Sequence, residues 1–130
     1  MTFDWAEYAR LAESLLSSGA VLDQSAREAR QRSAVSRAYY AAFILARNRL
    51  RDVDQVAIPV AANPHQFVSN AYLRHPDARR GQIGADLRRL RIDRNRCDYD
   101  DAVAGLDLLA GRSLRLAAHV LATIDQLSSG

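Results

Sequence analysis

The chain has 130 residues, 48% of them hydrophobic and 25% charged, which suits a single globular domain spanning residues 1–130. A chain of this length can bury roughly two thirds of the surface it exposes when unfolded, enough for a core without staples. One cysteine excludes an internal disulfide framework and a cysteine-based zinc cage. The longest apolar run, AYYAAFILA at 38–46, is too short to span a bilayer, and the acidic Asp4 and Glu7 are unlike a signal peptide; a cytoplasmic protein without a membrane partner is expected.

Helical periodicity dominates from the first residues onward. Asp4 is a candidate cap with Glu7 as its capping-box partner, Tyr8, Leu11, Ala12, Leu15 and Leu16 form an apolar face, and Gly19 is the expected stop. A second helix is predicted over residues 24–53, with Ala34, Ala38, Ala42, Leu45 and Leu50 on one face and Tyr39, Phe43 and Ile44 broadening it. Its alanine-rich middle permits close approach by neighbouring helices. Residues 54–62, with Pro59, read as a loop. Asn63-Pro64-His65-Gln66 is a strong helix start, and that third helix must end near His75 because Pro76 follows.

A fourth helix is predicted over residues 80–96, where Ile83, Leu87 and Leu90 set a 4-3 spacing that continues onto Arg94 and Cys97. Asp100 or Asp101 is expected to cap a fifth helix. Its stripe is Ala102, Leu106, Leu109, Ser113, Leu116, Val120, Ile124 and Leu127. Gly105 and Gly111 fall inside that pattern, each costing roughly 1 kcal/mol relative to alanine unless a helix packs tightly there. The fold class is all-α, an up-and-down bundle of four to five helices.

All 18 basic residues are arginines, planar permanent cations that suit phosphate and carboxylate. The net charge of +3 is mild, but Arg79, Arg80, Arg88, Arg89, Arg91, Arg94 and Arg96 fall within 18 residues, as a phosphate-tracking patch or a solvated helix face would. Arg94 lies on the apolar stripe, and a desolvated guanidinium needs partners. Asp98 is one turn further on, and Arg37 and Tyr40 of the second helix are within reach. The spacing fits two readings: an internal Arg94–Asp98 ion pair that fixes the corner between the last two helices, or a small arginine-lined pocket for a phosphate.

The three histidines form no i, i+4 ligand pair, so no metal site is expected and no cofactor is implied. His75 reads as a helix-end residue and His119 as the edge of the last helix's core stripe. His65, in a first helical turn, is either an ordinary surface residue or a general acid or base beside an anion. Cys97 reads as a small buried hydrophobe. Ser33, Ser36 and Ser69 have no adjacent base, and GQIG at 81–84 lacks the strand and lysine of a phosphate loop.

RSAVSRAYYAAFILARNRL (32–50), NPHQFVSNAYL (63–73) and RIDRNRCDYDD (91–101) together resemble the HEPN domain family. The most specific pieces are Ser36, Tyr39, Tyr40 and Phe43 on the second helix and the Arg94-x-x-x-Asp98-Tyr99 corner on the fourth. The resemblance implies a helical bundle that homodimerises around a polar cleft and often works with a nucleotidyltransferase partner. It further implies a toxin–antitoxin or defence system, and nucleotide or RNA as ligand. Many HEPN proteins are metal-independent ribonucleases whose signature places a histidine four to six residues after the arginine. This chain keeps Arg94 and Asn95 but has no histidine there, as in the Asp-Tyr branch of the family.

Three functions follow from the resemblance and the residues. One is a binding module whose phosphate site comprises Arg37, Tyr40, Arg94, Asn95 and Tyr99. The second is a divergent endoribonuclease using Arg94 with His65 or Asp98. The third is a non-catalytic adaptor in which Arg94 and Asp98 are a clamp. Tyr99 is the residue that a partner nucleotidyltransferase would modify.

Overall fold

The computed structural model of the chain describes residues 2–17 and 22–129. Among these, five helices and no strand occur: α1 Ala6–Leu16, α2 Gln24–Asp52, α3 Pro64–Arg74, α4 Ala78–Tyr99 and α5 Leu106–Ser129. None is long and apolar enough to cross a membrane. Gly19, the expected stop of the first helix, lies outside the described residues.

Local chemistry sets most of the helix ends. The Asp23 carboxylate accepts from Ala26 N–H at 2.8 Å at the start of α2, and Asn63 accepts from Gln66 N–H at 3.2 Å ahead of Pro64 in α3. Asp4 accepts from Ala6 N–H at 3.0 Å, but Glu7 closes no capping box; it pairs with Arg10 instead. Leu11 of α1 is exposed rather than part of the apolar face, which is carried by fully buried Ala12.

α4 is longer than predicted at both ends. Asp77, directly after Pro76, caps it by accepting from Arg79 N–H at 2.8 Å, and the helix continues through Asp98 and Tyr99. Neither Asp100 nor Asp101 caps α5, because Asp100 is the C-terminal cap of α4. Gly105 takes φ +65°, a left-handed turn open to glycine, so α5 starts only at Leu106 and Ala102 lies outside it, exposed. Leu116 is only half-buried, whereas Leu114 and Ala117 are buried.

α2 forms the centre. Ala34, Ala38, Ala42 and Ala46 recur every fourth residue at 0–1% exposure, so neighbouring helices come close along this line. Tyr39, Tyr72, Ile83, Leu87, Leu90 and Val120 fill the remaining space. Fully burying a side chain of this size contributes about 1.5–3 kcal/mol. A smaller cluster of Val35, Cys97, Leu106, Leu109 and Ala110 seals the corner between α4 and α5.

Side-chain contacts give the helix directions. Tyr8 meets Arg37, Tyr40 meets Arg94, Leu73 meets Gly84, and Asp93 meets Ser113, so α1–α2, α2–α4, α3–α4 and α4–α5 are antiparallel neighbours. α2 and α3 run the same way, since His65 contacts Tyr39 and Tyr72 donates to Ala46 C=O. The connection over 53–63 therefore returns about half the length of α2 before α3 begins. Gly84 is the tightest crossing: a Cβ there would lie 2.7 Å from Ser69 C=O and from Leu73 backbone N. Gly111 needs no such approach, because a Cβ there would meet only the Arg115 guanidinium, at 3.4 Å.

α1 and α4 both pack on α2, and their described backbones make no close approach to each other. Between them a strip of α2 reaches the surface, with exposed Ser33 and Arg37 and half-buried Ser36 and Tyr40.

Candidate functional site

The last two turns of α4 stand over that strip. Arg94 is 17% exposed, and its Nε lies 2.7 Å from Asp98 Oδ2. The Nε–H points off that line, so Nε is buried without a hydrogen bond. One terminal nitrogen donates to Asn95 Oδ1 at 3.0 Å. The guanidinium is flanked by two rings, with its carbon 5.2 Å from the centre of Tyr40 and 5.6 Å from that of Tyr99. Each cation–π contact contributes about 0.5–2 kcal/mol, depending on desolvation. The guanidinium carbon stands over both ring faces, with Asp98 beside Nε and Asn95 on one terminal nitrogen, and a guanidinium binds an oxyanion through its N–H groups. Ser36 completes the link by donating to Asp98 at 3.4 Å.

Arg94, Asn95, Asp98, Tyr40 and Tyr99 are thus brought together. Arg37 is not: its guanidinium stacks over Tyr8 of α1 at 4.9 Å, on the other wall of the strip. Tyr8 belongs to an exposed-edge aromatic cluster with Phe3 and Trp5, all in T-shaped contact. Tyr99 itself is 72% exposed.

His65 lies 6.2 Å from the Tyr40 ring, edge to face. It stacks on Phe43 at 4.3 Å, and its Nδ1 is 2.5 Å from the Tyr39 hydroxyl. Burial pushes the Tyr39 phenol well above its ordinary range, so it keeps its proton. Burial, and then the charges of Arg91 and Arg94, push the imidazole of His65 below its usual value. The lowered value keeps His65 a neutral ring near neutral pH, and its tautomer sets which partner donates in the bond to Tyr39.

Two residues that matter to this corner were not evident from spacing. Arg32 of α2 donates to three carbonyls, those of Cys97 at 2.9 Å, Asp100 at 2.6 Å and Asp101 at 3.1 Å. It ties off the C-terminus of α4 and so fixes the corner, a task the sequence suggested for the Arg94–Asp98 pair. The other is Asp93, 0% exposed beside Arg94 and bonded to Ser113 of α5 at 3.0 Å. A buried carboxylate adjacent to a basic run is the one sequence signal that could have marked it.

The predicted basic patch is divided by these pairings. Arg79 binds Asp77, Arg80 clasps Asp54 through two bonds of 2.6 and 3.2 Å, and Arg88 donates to Asn70 at 2.6 Å. His75 accepts from Asp77 N–H at 3.0 Å at the end of α3, and His119 is exposed, 3.4 Å from Asp86, rather than at a core edge.

Electrostatics distinguish the two ends of the strip. Beyond Asp98 lies an open hollow of about 350 Å³ lined by Glu28, Arg32, Asp98, Asp100 and Asp101, whose acids repel phosphate. Towards Tyr40 and His65 the nearby charges are Arg91 and Arg94. An anion is therefore favoured on the Tyr40 side. Compared with protein-family models, curated proteins and solved structures, the chain matches none, and the site is defined by its own geometry.

Proposed function

We propose that the chain is a HEPN-like module that binds RNA or nucleotide phosphate in the groove centred on Arg94. In this reading it acts as a homodimer in the cytoplasm with a nucleotidyltransferase partner, in a toxin–antitoxin or defence system. The observation that carries the reading is spatial: the α2 and α4 residues behind the resemblance meet around one guanidinium. Tyr40 and Tyr99 flank Arg94, and Ser36 joins Asp98. An arginine held over two rings supports phosphate recognition through its N–H groups. The exposure of Tyr99 supports its being reachable by a modifying partner.

The endoribonuclease alternative has less support. It requires a proton acceptor beside Arg94, and no histidine stands four to six residues after that arginine. The test is titration with single-stranded RNA in metal-free buffer at several salt concentrations. Binding should weaken with salt by about 0.7 log unit per log unit for each phosphate contact. The RNA should stay intact, and Arg94→Ala should weaken binding about tenfold. Appearance of 2′,3′-cyclic phosphate ends that Arg94→Ala abolishes would establish the ribonuclease instead. Absence of any RNA or nucleotide binding would leave Arg94 as a structural clamp.

A further inference from the structure

A second pair of arginines converges on the other flank of α4, where it meets α5. Asp93 is 0% exposed and accepts from Ser113 Oγ at 3.0 Å. Arg112 of α5 approaches the same carboxylate through one terminal nitrogen, 3.3 and 3.4 Å from the two oxygens. Arg89 of α4 approaches it through Nε at 3.7 Å.

One cation and the serine suffice to compensate a buried carboxylate. Here two guanidinium groups converge, 50% and 43% exposed, so each keeps N–H groups in solvent. The Arg112 Nε is buried without a hydrogen bond, and the side chain's contact with Asp93 is through its terminal nitrogen. The cluster carries one net positive charge, with two planar forks oriented by one buried anchor. Such an arrangement matches the oxygens of a phosphate.

Its position relative to Arg94 sets the ligand. Five helical residues separate Arg89 from Arg94, about 7.5 Å along the axis and about 140° around it. A single nucleotide cannot touch both flanks of a helix about 10 Å across. The exposed route between them runs the other way round the helix, about 220°, past Ile92, 55% exposed. Arg96 and Tyr99, 72% exposed, follow beyond Arg94, and Tyr99 also lines the acidic hollow. An exposed aromatic ring beside Arg94 favours a strand whose bases are free to stack.

We propose that Arg89 and Arg112, oriented by Asp93, form a second phosphate-binding site for the backbone of a single-stranded polynucleotide that also contacts Arg94. The proposal rests on the phosphate-binding reading of the Arg94 groove and extends it across α4. The test compares oligouridylates of about 12 and about 3 nucleotides as calorimetric probes. The longer probe should bind the wild type about tenfold more tightly than the shorter one.

Arg89→Gln and Arg112→Gln should each weaken the longer probe about fivefold and lower its salt slope by about 0.7, leaving the shorter probe unchanged. Each single variant leaves Asp93 one arginine. Should Arg112→Gln fail to fold, Arg112→Lys keeps the ion pair, removes the fork and should still weaken the longer probe. Arg51→Gln removes an equal charge from the end of α2 and should leave the salt slope unaltered. If Arg89 and Arg112 variants lose no more than Arg51→Gln does, the second site is overturned while any Arg94 dependence stands. If the longer probe responds to Arg89 and Arg112 but not to Arg94, the second site stands and the groove reading falls. If no probe binds, both fall.

Discussion

His65 couples its own protonation to the fold. It stacks on Phe43 and is hydrogen-bonded to Tyr39, and the folded chain lowers its pKa, chiefly by burial and then through Arg91 and Arg94. The unfolded chain, with an ordinary histidine pKa of about 6.5, then binds the proton more readily. Stability from this residue is complete above about pH 6.5 and declines as pH falls through the lower folded value. Urea unfolding at about pH 7.5 and about pH 5.5 checks the sign. His65→Phe keeps the stacking and should lose less stability over that interval than the wild type; an identical loss would place the effect elsewhere. Cys97 makes a simpler case, since burial pushes its thiol up to about 11 and it is 2% exposed. It should resist iodoacetamide at neutral pH until the protein unfolds, as mass spectrometry would show. Rapid labelling of the native protein would mean that the α4–α5 corner opens readily.

At the scale of the element, α4 carries most of the argument. Gly84 lets its backbone reach that of α3, and a Cβ there would sit 2.7 Å from Ser69 C=O, a backbone atom that cannot swing aside. Overpacking of this kind costs about 1–3 kcal/mol. The helix propensity of alanine returns about 1 kcal/mol at most. Gly84→Ala should therefore destabilise the fold, measured as a lower urea midpoint, while Gly111→Ala should not. The same helix marks what the sequence could and could not disclose. The Asn63 cap was legible because the cap and its N–H lie within three residues. The end of α4 was not, because Arg32, which closes it, is 68 residues from Asp100. Asp93 was hidden by the assumed 4-3 rhythm: a straight helix turns every 3.6 residues, so the core-facing line drifts between positions 93 and 94. Both face inward, one fully buried and the other nearly so.

At the scale of the whole molecule, the open strip follows from packing order. α1, α4 and α5 all lie on α2, but α1 and α4 leave a gap, and the Arg94 group overhangs it. The five-helix bundle and its core were legible from periodicity. The partnership of Arg94 with Asp98 was also legible, because one helical turn separates them. The diversion of Arg37 to Tyr8 was not, since it depends on where a separate helix docks. The central claim is that Arg94 is held for a ligand rather than for the fold. Arg94→Gln, measured for single-stranded RNA affinity and for urea stability on the same preparation, separates the two. The account predicts affinity about tenfold weaker, about 1.4 kcal/mol, with stability lowered by about 1–2 kcal/mol, as loss of the two ring contacts implies. Unchanged affinity accompanied by a stability loss of several kcal/mol would contradict it and make Arg94 a clamp.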